Sequence, residues 1–98
     1  MFWGCQGVKK EDFIEIDFEE EFLAQEVTIR TGTFRSPNKI LRFANLEITD
    51  KNKLKTVSKF RNGVALIQLN NTPIINLKII VQSEQPEQVI FQPFDWKF

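Results

Sequence analysis

The feature that most constrains this chain is an alternation of apolar and polar residues with a period of two. Ile14, Ile16 and Phe18 alternate with Glu15 and Asp17, so the two groups fall on opposite faces of an extended strand. No stretch shows the 3.6-residue apolar period of an amphipathic helix, so we predict an all-β fold. Similar runs, each predicted to be a strand, cover residues 22–31, 41–49, 53–60, 64–69, 74–81 and 89–96.

Turn-forming residues separate these runs at intervals of roughly 8–12 residues, which is typical of an antiparallel β-sandwich or barrel. The Asn62-Gly63 pair, between two β-patterned runs, gives the strongest hairpin signal. Pro93 predicts an edge strand or a bulge within the last run, because proline cannot donate to the ladder. The apolar phase changes within residues 41–49, which predicts a bulge there or a strand covered on both faces. Glu19–Glu21 is interpreted as an acidic turn.

Length and charge exclude several classes of protein. Ninety-eight residues suffice for one domain, so residues 1–98 are predicted to form a single domain. Thirteen basic residues balance thirteen acidic ones, which argues against a nucleic-acid-binding protein. No apolar run approaches the ~20 residues of a membrane-spanning helix, so no membrane partner is expected.

The charges are nevertheless segregated along the chain. Residues 1–30 hold eight acidic and three basic residues, whereas residues 31–61 hold two acidic and eight basic ones. The bases from Arg42 to Arg61 could contact phosphate or an anionic glycan. Alternatively they are the solvent-facing residues of strands, an interpretation favoured because Phe, Leu and Val interleave with them at strand spacing.

The residues show no catalytic or metal-binding constellation. The chain has no histidine and one cysteine, Cys5, which excludes an internal disulfide and is predicted to be a small buried hydrophobic residue. Glu15 and Asp17 share a strand face, but such carboxylate pairs are common on solvated strands. Asp12, Asp17, Asp50 and Asn52 lack the spacing of a calcium loop, and the four glycines are isolated. We therefore predict no enzyme activity, no cofactor and no metal.

An aromatic loop offers a different kind of site. Phe34, followed by Arg35 and Asn38, combines a ring for sugar stacking with side chains that can bind hydroxyls. The alternative is that Phe34 folds inward and closes one end of the sandwich. Trp3 is the other candidate for an exposed aromatic residue. The N-terminus does not resemble a signal peptide, so the protein is either intracellular or a piece of a longer secreted chain.

The order of the motifs resembles the galactose-binding-like family, also known as discoidin or coagulation-factor type C domains. It is also similar to the C-terminal lectin-like domain of the branching N-acetylglucosaminyltransferases. The matching segments are Phe2-Trp3, Val8–Phe18, Val27–Gly32, Leu46–Ile48, Phe60–Ala65, Ile74–Val81 and Val89–Phe94. The resemblance implies an eight-stranded antiparallel jelly-roll β-sandwich, here without the family's opening segment before Met1.

The same resemblance implies a non-catalytic carbohydrate-recognition module, accessory to a carbohydrate-active enzyme such as a glycoside hydrolase or to a surface protein. Its partners would be a glycan or sugar ligand and other domains of a longer, extracytoplasmic chain. By position, the ligand surface would lie on residues 33–38 and 83–88. Phe34 would stack on the sugar, and Arg35, Asn38 and Gln88 would contact its hydroxyls.

Two departures from the family pattern favour a second interpretation. Gln88 falls where the family often has an aromatic residue that stacks on the sugar, and Phe91-Gln92-Pro93 replaces an Ile-Arg-Glu sequence. The alternative function is a structural or protein-interaction β-sandwich that has lost sugar binding. A long exposed strand edge or an apolar surface patch would support it.

Overall fold

The computed structural model describes residues 2–98, which form strands, turns and loops without a helix. The all-β prediction is therefore confirmed. All pairings between the strands are antiparallel. The strands are β1 (Phe2–Trp3), β2 (Phe13–Phe22), β3 (Glu26–Arg30), β4 (Ala44–Asp50), β5 (Lys55–Lys59), β6 (Val64–Gln68), β7 (Ile74–Val81), β8 (Val89–Ile90) and β9 (Asp95–Lys97).

Two main sheets enclose one hydrophobic core. The larger has the order β2-β7-β4-β5 and the smaller the order β6-β3-β9, while β1 pairs with β8. Both sheets contribute buried side chains to the same cluster, which is the arrangement of a β-sandwich. The jelly-roll connectivity stays a prediction. The core side chains of the central strands are Ala44, Leu46, Ile48, Ile74, Leu77, Ile79 and Val81 from the larger sheet, and Val27, Ile29, Ala65 and Ile67 from the smaller.

The alternation that predicts the strands also determines which side chains are buried. Leu46 pairs with Ile79 and Ile48 with Leu77, and all four are buried on the inner face of the larger sheet. The residues between them along each strand point outward, because successive side chains of a strand lie on opposite faces. The sequence pattern of period two is therefore the pattern of inner and outer faces.

Strand β2 is longer than the sequence predicts. The interpretation of Glu19–Glu21 as a turn is wrong, because β2 continues without a break to Phe22. Its pairing with β7 shifts register between Asp17 and Phe22. This irregularity accommodates the three glutamates within the strand and leaves them exposed to solvent.

The other comparisons between the sequence predictions and the structure concern strand ends and turns. The phase change in residues 41–49 is not a bulge, because β4 begins at Ala44 and Leu41 is buried in the preceding loop. Pro93 lies between β8 and β9, and β9 is an edge strand, as the proline predicts. Cys5 is exposed rather than buried, since it lies in a turn closed by a hydrogen bond from Gly7 N to Gly4 O.

Candidate functional site

Two loops meet at one end of the sandwich. We call residues 32–42 the Phe34 loop and residues 82–88 the Gln88 loop. The Ile90 N–H, just after the Gln88 loop, donates to Lys39 O at 3.0 Å, and the Lys39 ammonium donates to Gln88 Oε1 at 3.3 Å. Backbone and side-chain hydrogen bonds thus hold the two loops next to each other.

The Phe34 loop is anchored by a buried threonine. The Thr31 hydroxyl donates to Gly63 O at 2.7 Å and accepts from the Leu41 N–H at 2.9 Å. It therefore joins both ends of the Phe34 loop to the turn between β5 and β6. Because the hydroxyl uses its donor and an acceptor position, its burial leaves no orphaned group. The base of the loop is fixed in the sheet framework.

The tip of the Phe34 loop is a tight turn that points into solvent. Thr33 and Ser36 exchange backbone hydrogen bonds of 3.2 and 3.3 Å, and the Ser36 N–H also donates to Thr33 Oγ1 at 3.0 Å. Between them, Phe34 is fully exposed and Arg35 is exposed. The alternative in which Phe34 folds inward is therefore wrong, and its ring is free to contact a ligand.

Gln85 anchors the Gln88 loop to the Phe34 loop and to the N-terminal segment. Its side chain is buried, accepts from the Arg42 N–H at 3.0 Å and donates to Ile40 O at 2.9 Å. Its backbone exchanges hydrogen bonds with Val8. Both loops and the N-terminal segment thus converge on Gln85, whose buried side chain pairs with partly buried backbone groups of Ile40 and Arg42.

A partly buried ion pair lies beside Gln85. Arg42 Nη1 is 2.9 Å from Glu87 Oε1, and both side chains retain some solvent exposure. The second carboxylate oxygen, Glu87 Oε2, is buried and has no hydrogen-bond partner within residues 2–98. This oxygen is enclosed by the protein, so the ion pair meets solvent through Arg42 and the exposed remainder of the Glu87 side chain.

The predicted site residues share this end of the sandwich. Phe34 and Arg35 form the tip, Asn38 is exposed further along the same loop, and Gln88 is half-buried across from Lys39. Four of the best-defined surface depressions of the described chain have linings that omit all of them. One of these, of about 290 Å³, adjoins the loops and is lined by Arg42, Phe43, Ala44, Asn45, Lys59, Phe60 and Gln82.

Sequence reasoning did not single out Gln85 or Glu87, and it considered Arg42 only as one of the bases from Arg42 to Arg61. The resemblance placed residues 83–88 on the ligand surface and the Gln85-Pro86-Glu87 turn marked a loop, but neither says which side chains become buried. Trp3, the other aromatic candidate, packs on Phe91 with ring centroids 5.9 Å apart and is part of the core boundary. It is therefore not a free stacking surface.

Other polar groups show no built site. Residues 2–98 contain no group of three or more cysteine and acidic side chains that could hold a metal ion. Glu15 and Asp17 lie on the open outer face, where the Asn76 amide donates to both carboxylates. Asp50 Oδ1 accepts from the Asn52 and Leu54 N–H groups of its own turn. The carboxylates of Glu15, Asp17 and Asp50 thus already accept hydrogen bonds from neighbouring residues.

The part of the chain that the structure describes has no helix long and apolar enough to span a membrane. No protein-family model matches this chain, and no curated protein is significantly similar to it. The resemblance to galactose-binding-like domains therefore rests on the motifs of the sequence and stays a prediction.

Proposed function

We propose that this chain is a non-catalytic carbohydrate-recognition module whose ligand surface is formed by the Phe34 and Gln88 loops. The observation that carries the proposal is the fully exposed Phe34 ring, on a loop whose base is anchored by Thr31, at the same end of the sandwich as the partly exposed Arg42–Glu87 ion pair. A sugar hydroxyl can accept from the Arg42 guanidinium while a neighbouring hydroxyl donates to Glu87, whose side chain keeps 28% exposure. Paired acceptors and donors of this kind match the adjacent hydroxyls of a pyranose ring.

The surrounding residues supply the remaining contacts. Phe34 presents a solvent-exposed ring at the loop tip, which can stack on the apolar face of a sugar. Arg35 and Asn38 lie exposed on the same loop, and the Gln88 amide lies across from it. Their mixture of one aromatic ring with guanidinium and amide groups favours a neutral, hydroxyl-rich ligand.

The neighbouring depression extends this surface beyond one contact point. It shares Arg42 with the ion pair and contains the half-exposed Phe43 together with Asn45 and Gln82. Its volume of about 290 Å³ is close to the lower bound of small-molecule pockets, roughly 300 Å³. A second sugar unit of an oligosaccharide could therefore occupy it. Open sites of this size bind weakly, and repeated modules or ligands raise the effective affinity.

Isothermal titration calorimetry against hexoses and hexosamines chosen by a glycan array tests the proposal. Glu87→Gln keeps the size of the side chain but removes the charge that strengthens both hydrogen bonds. We expect its affinity for the sugar to fall about tenfold or more, because hydrogen bonds to charged groups contribute about 1.5–3 kcal/mol. Phe34→Ala should weaken binding severalfold.

Glu84→Gln is the matched control, because Glu84 is exposed on the same Gln88 loop. It removes the same charge and should bind the sugar as the wild type does. The proposal is wrong if no sugar on the array binds, or if Glu87→Gln and Glu84→Gln both bind with unchanged affinity.

A second candidate function is a structural or protein-interaction β-sandwich that has lost sugar binding. One observation favours it: strand β5 is an edge strand whose Lys55, Thr56 and Val57 are all exposed. An edge of this kind can pair with a further strand. A failed glycan array would favour this candidate, whereas sugar binding sensitive to Glu87 would exclude it as the sole role.

A further inference from the structure

The two edges of the larger sheet carry opposite charge. The order β2-β7-β4-β5 places β2 at one edge and β5 at the other. The acidic residues of β2 are Glu15, Asp17, Glu19, Glu20 and Glu21, whereas the basic residues on β5 and the turn before it are Lys51, Lys53, Lys55 and Lys59. All of these side chains are exposed, so each edge presents one sign of charge to solvent.

Both edges have the geometry of strands that can accept a partner. Edge strands expose backbone N–H and C=O groups along one side. Beside β5 runs a groove of about 490 Å³, with Val57, Val64 and Leu66 among its lining residues. These three side chains are partly exposed although they are apolar. A further strand would cover them and satisfy the backbone groups of β5.

The topology gives a second copy the required strand direction. Successive neighbours in the order β2-β7-β4-β5 are antiparallel, so β5 runs opposite to β2. A second copy placed beside β5 in the same orientation would therefore present its β2 antiparallel to β5. This contact joins two different surfaces, so it would repeat from copy to copy rather than close as a symmetric dimer.

The charges select this pairing over the symmetric ones. On the outer face of the sheet, β2 presents Glu15 and Asp17, which the amide of Asn76 on the neighbouring β7 holds there. On the same face β5 presents Lys55 and Lys59, since they pair with Thr49 and Asn45 of β4 and not with its buried residues. Pairing β5 with β5, or β2 with β2, would set like charges against each other.

We propose that the basic β5 edge binds the acidic β2 edge of a second copy, so that copies of this chain associate head to tail. The partner is chosen by charge, by strand direction and by the apolar groove. The association does not involve the Phe34 or Gln88 loops, and of the charged residues on the two edges only Lys59 also lines the depression next to these loops.

Sedimentation velocity of the full chain at increasing concentration tests the proposal. We expect the weight-average mass to rise from monomer past dimer in low salt. In 1 M NaCl, where the Debye length is about 3 Å, the mass should fall back towards that of the monomer. The variant Lys55→Glu/Lys59→Glu makes the outer-face charges of β5 acidic, and Glu15→Lys/Asp17→Lys makes the outer-face charges of β2 basic. Each variant alone should associate at least tenfold more weakly than the wild type.

Mixing the two variants separates loss of the interface from loss of the fold. In an equimolar mixture, the acidic β2 edge of Lys55→Glu/Lys59→Glu can pair with the basic β5 edge of Glu15→Lys/Asp17→Lys. The mixture should therefore again form species larger than a monomer. Circular dichroism checks that both variants remain folded, and Arg35→Glu, a charge reversal away from the edges, should associate like the wild type. Three outcomes overturn the proposal: a wild type that stays monomeric, a closed dimer unaffected by the reversals, or a mixture that does not associate.

Discussion

At the scale of single residues, two polar side chains of the Gln88 loop differ in burial, since Gln85 is buried whereas Glu87 is partly exposed. Gln85 uses both ends of its amide, towards Arg42 N and Ile40 O. Glu87 uses one carboxylate oxygen towards Arg42 and leaves the other without a partner. Because Gln85 is buried and fully paired whereas Glu87 belongs to a partly exposed ion pair, we interpret Gln85 as structural and propose Glu87 as a ligand contact.

The role of Gln85 can be measured through stability. Gln85→Leu removes an acceptor from the Arg42 N–H and a donor from Ile40 O, and both hydrogen bonds are partly buried. We expect the free energy of unfolding in urea to fall by about 1 kcal/mol or more, because each hydrogen bond contributes about 0.5–1.5 kcal/mol. Gln82→Leu, at an exposed position, should change it by less than about 0.5 kcal/mol. Equal effects of the two substitutions would contradict this interpretation.

At the residue level, turn chemistry was predictable but side-chain exposure was not. The Ser36-Pro37-Asn38 turn predicted the loop, whereas the sequence left open whether Phe34 folds inward, and the ring is fully exposed. Cys5 was predicted wrongly because its burial depends on a backbone turn between Gly4 and Gly7 and not on its hydrophobicity. Glu87 could not be selected among thirteen acidic residues, since its partner Arg42 lies 45 positions earlier in the chain.

At the scale of elements, the Asn62-Gly63 turn determines how the chain crosses between sheets. Arg61 and Val64 exchange backbone hydrogen bonds of 2.8 and 3.0 Å, and both Asn62 and Gly63 have positive φ, as a type I′ turn requires. The predicted turn therefore forms, but the predicted hairpin is wrong, because the strands on either side do not pair with each other. Beyond it, β5 pairs with β4 and β6 with β3, so the two arms belong to different sheets.

Gly63 is the most sensitive position in this turn. A Cβ there would lie 2.7 Å from the Ile40 Cβ and 2.8 Å from Thr31 Oγ1, and φ is +79°. Gly63→Ala should therefore lower the free energy of unfolding by about 2 kcal/mol or more, because strain of about 1–2 kcal/mol adds to the clash. Asn62→Gly, at the neighbouring positive φ, should change it by less than about 1 kcal/mol. Urea unfolding of both variants measures the difference, and an unchanged Gly63→Ala would contradict the account.

The strands themselves followed from the sequence, but their pairing did not. The alternating runs correspond to β2 through β7, because a strand with one buried face must alternate. The register shift that accommodates Glu19–Glu21 left no local signal. The order β2-β7-β4-β5 also depends on contacts far apart in the chain, which periodicity does not encode.

At the scale of the whole molecule, different parts of the sandwich surface carry different kinds of side chain. The core is closed by both sheets, the loop end carries the polar candidate site, and the edges of the larger sheet carry opposite charges. The sequence predicted the sandwich and the segregation of charge. It could not predict that the acidic and basic segments become opposite edges, nor that Arg42 meets Glu87, because both depend on the tertiary arrangement.

The central claim is that the loop end binds sugar. The most direct measurement is a titration of the ¹⁵N-labelled chain with hexoses and hexosamines, followed by amide chemical shifts. We predict saturable shifts in residues 32–42 and 82–88, absent from β5 and β6, and strongly reduced in Glu87→Gln. Spectra that do not change with any of these sugars, or shifts spread evenly over both sheets, would contradict the claim.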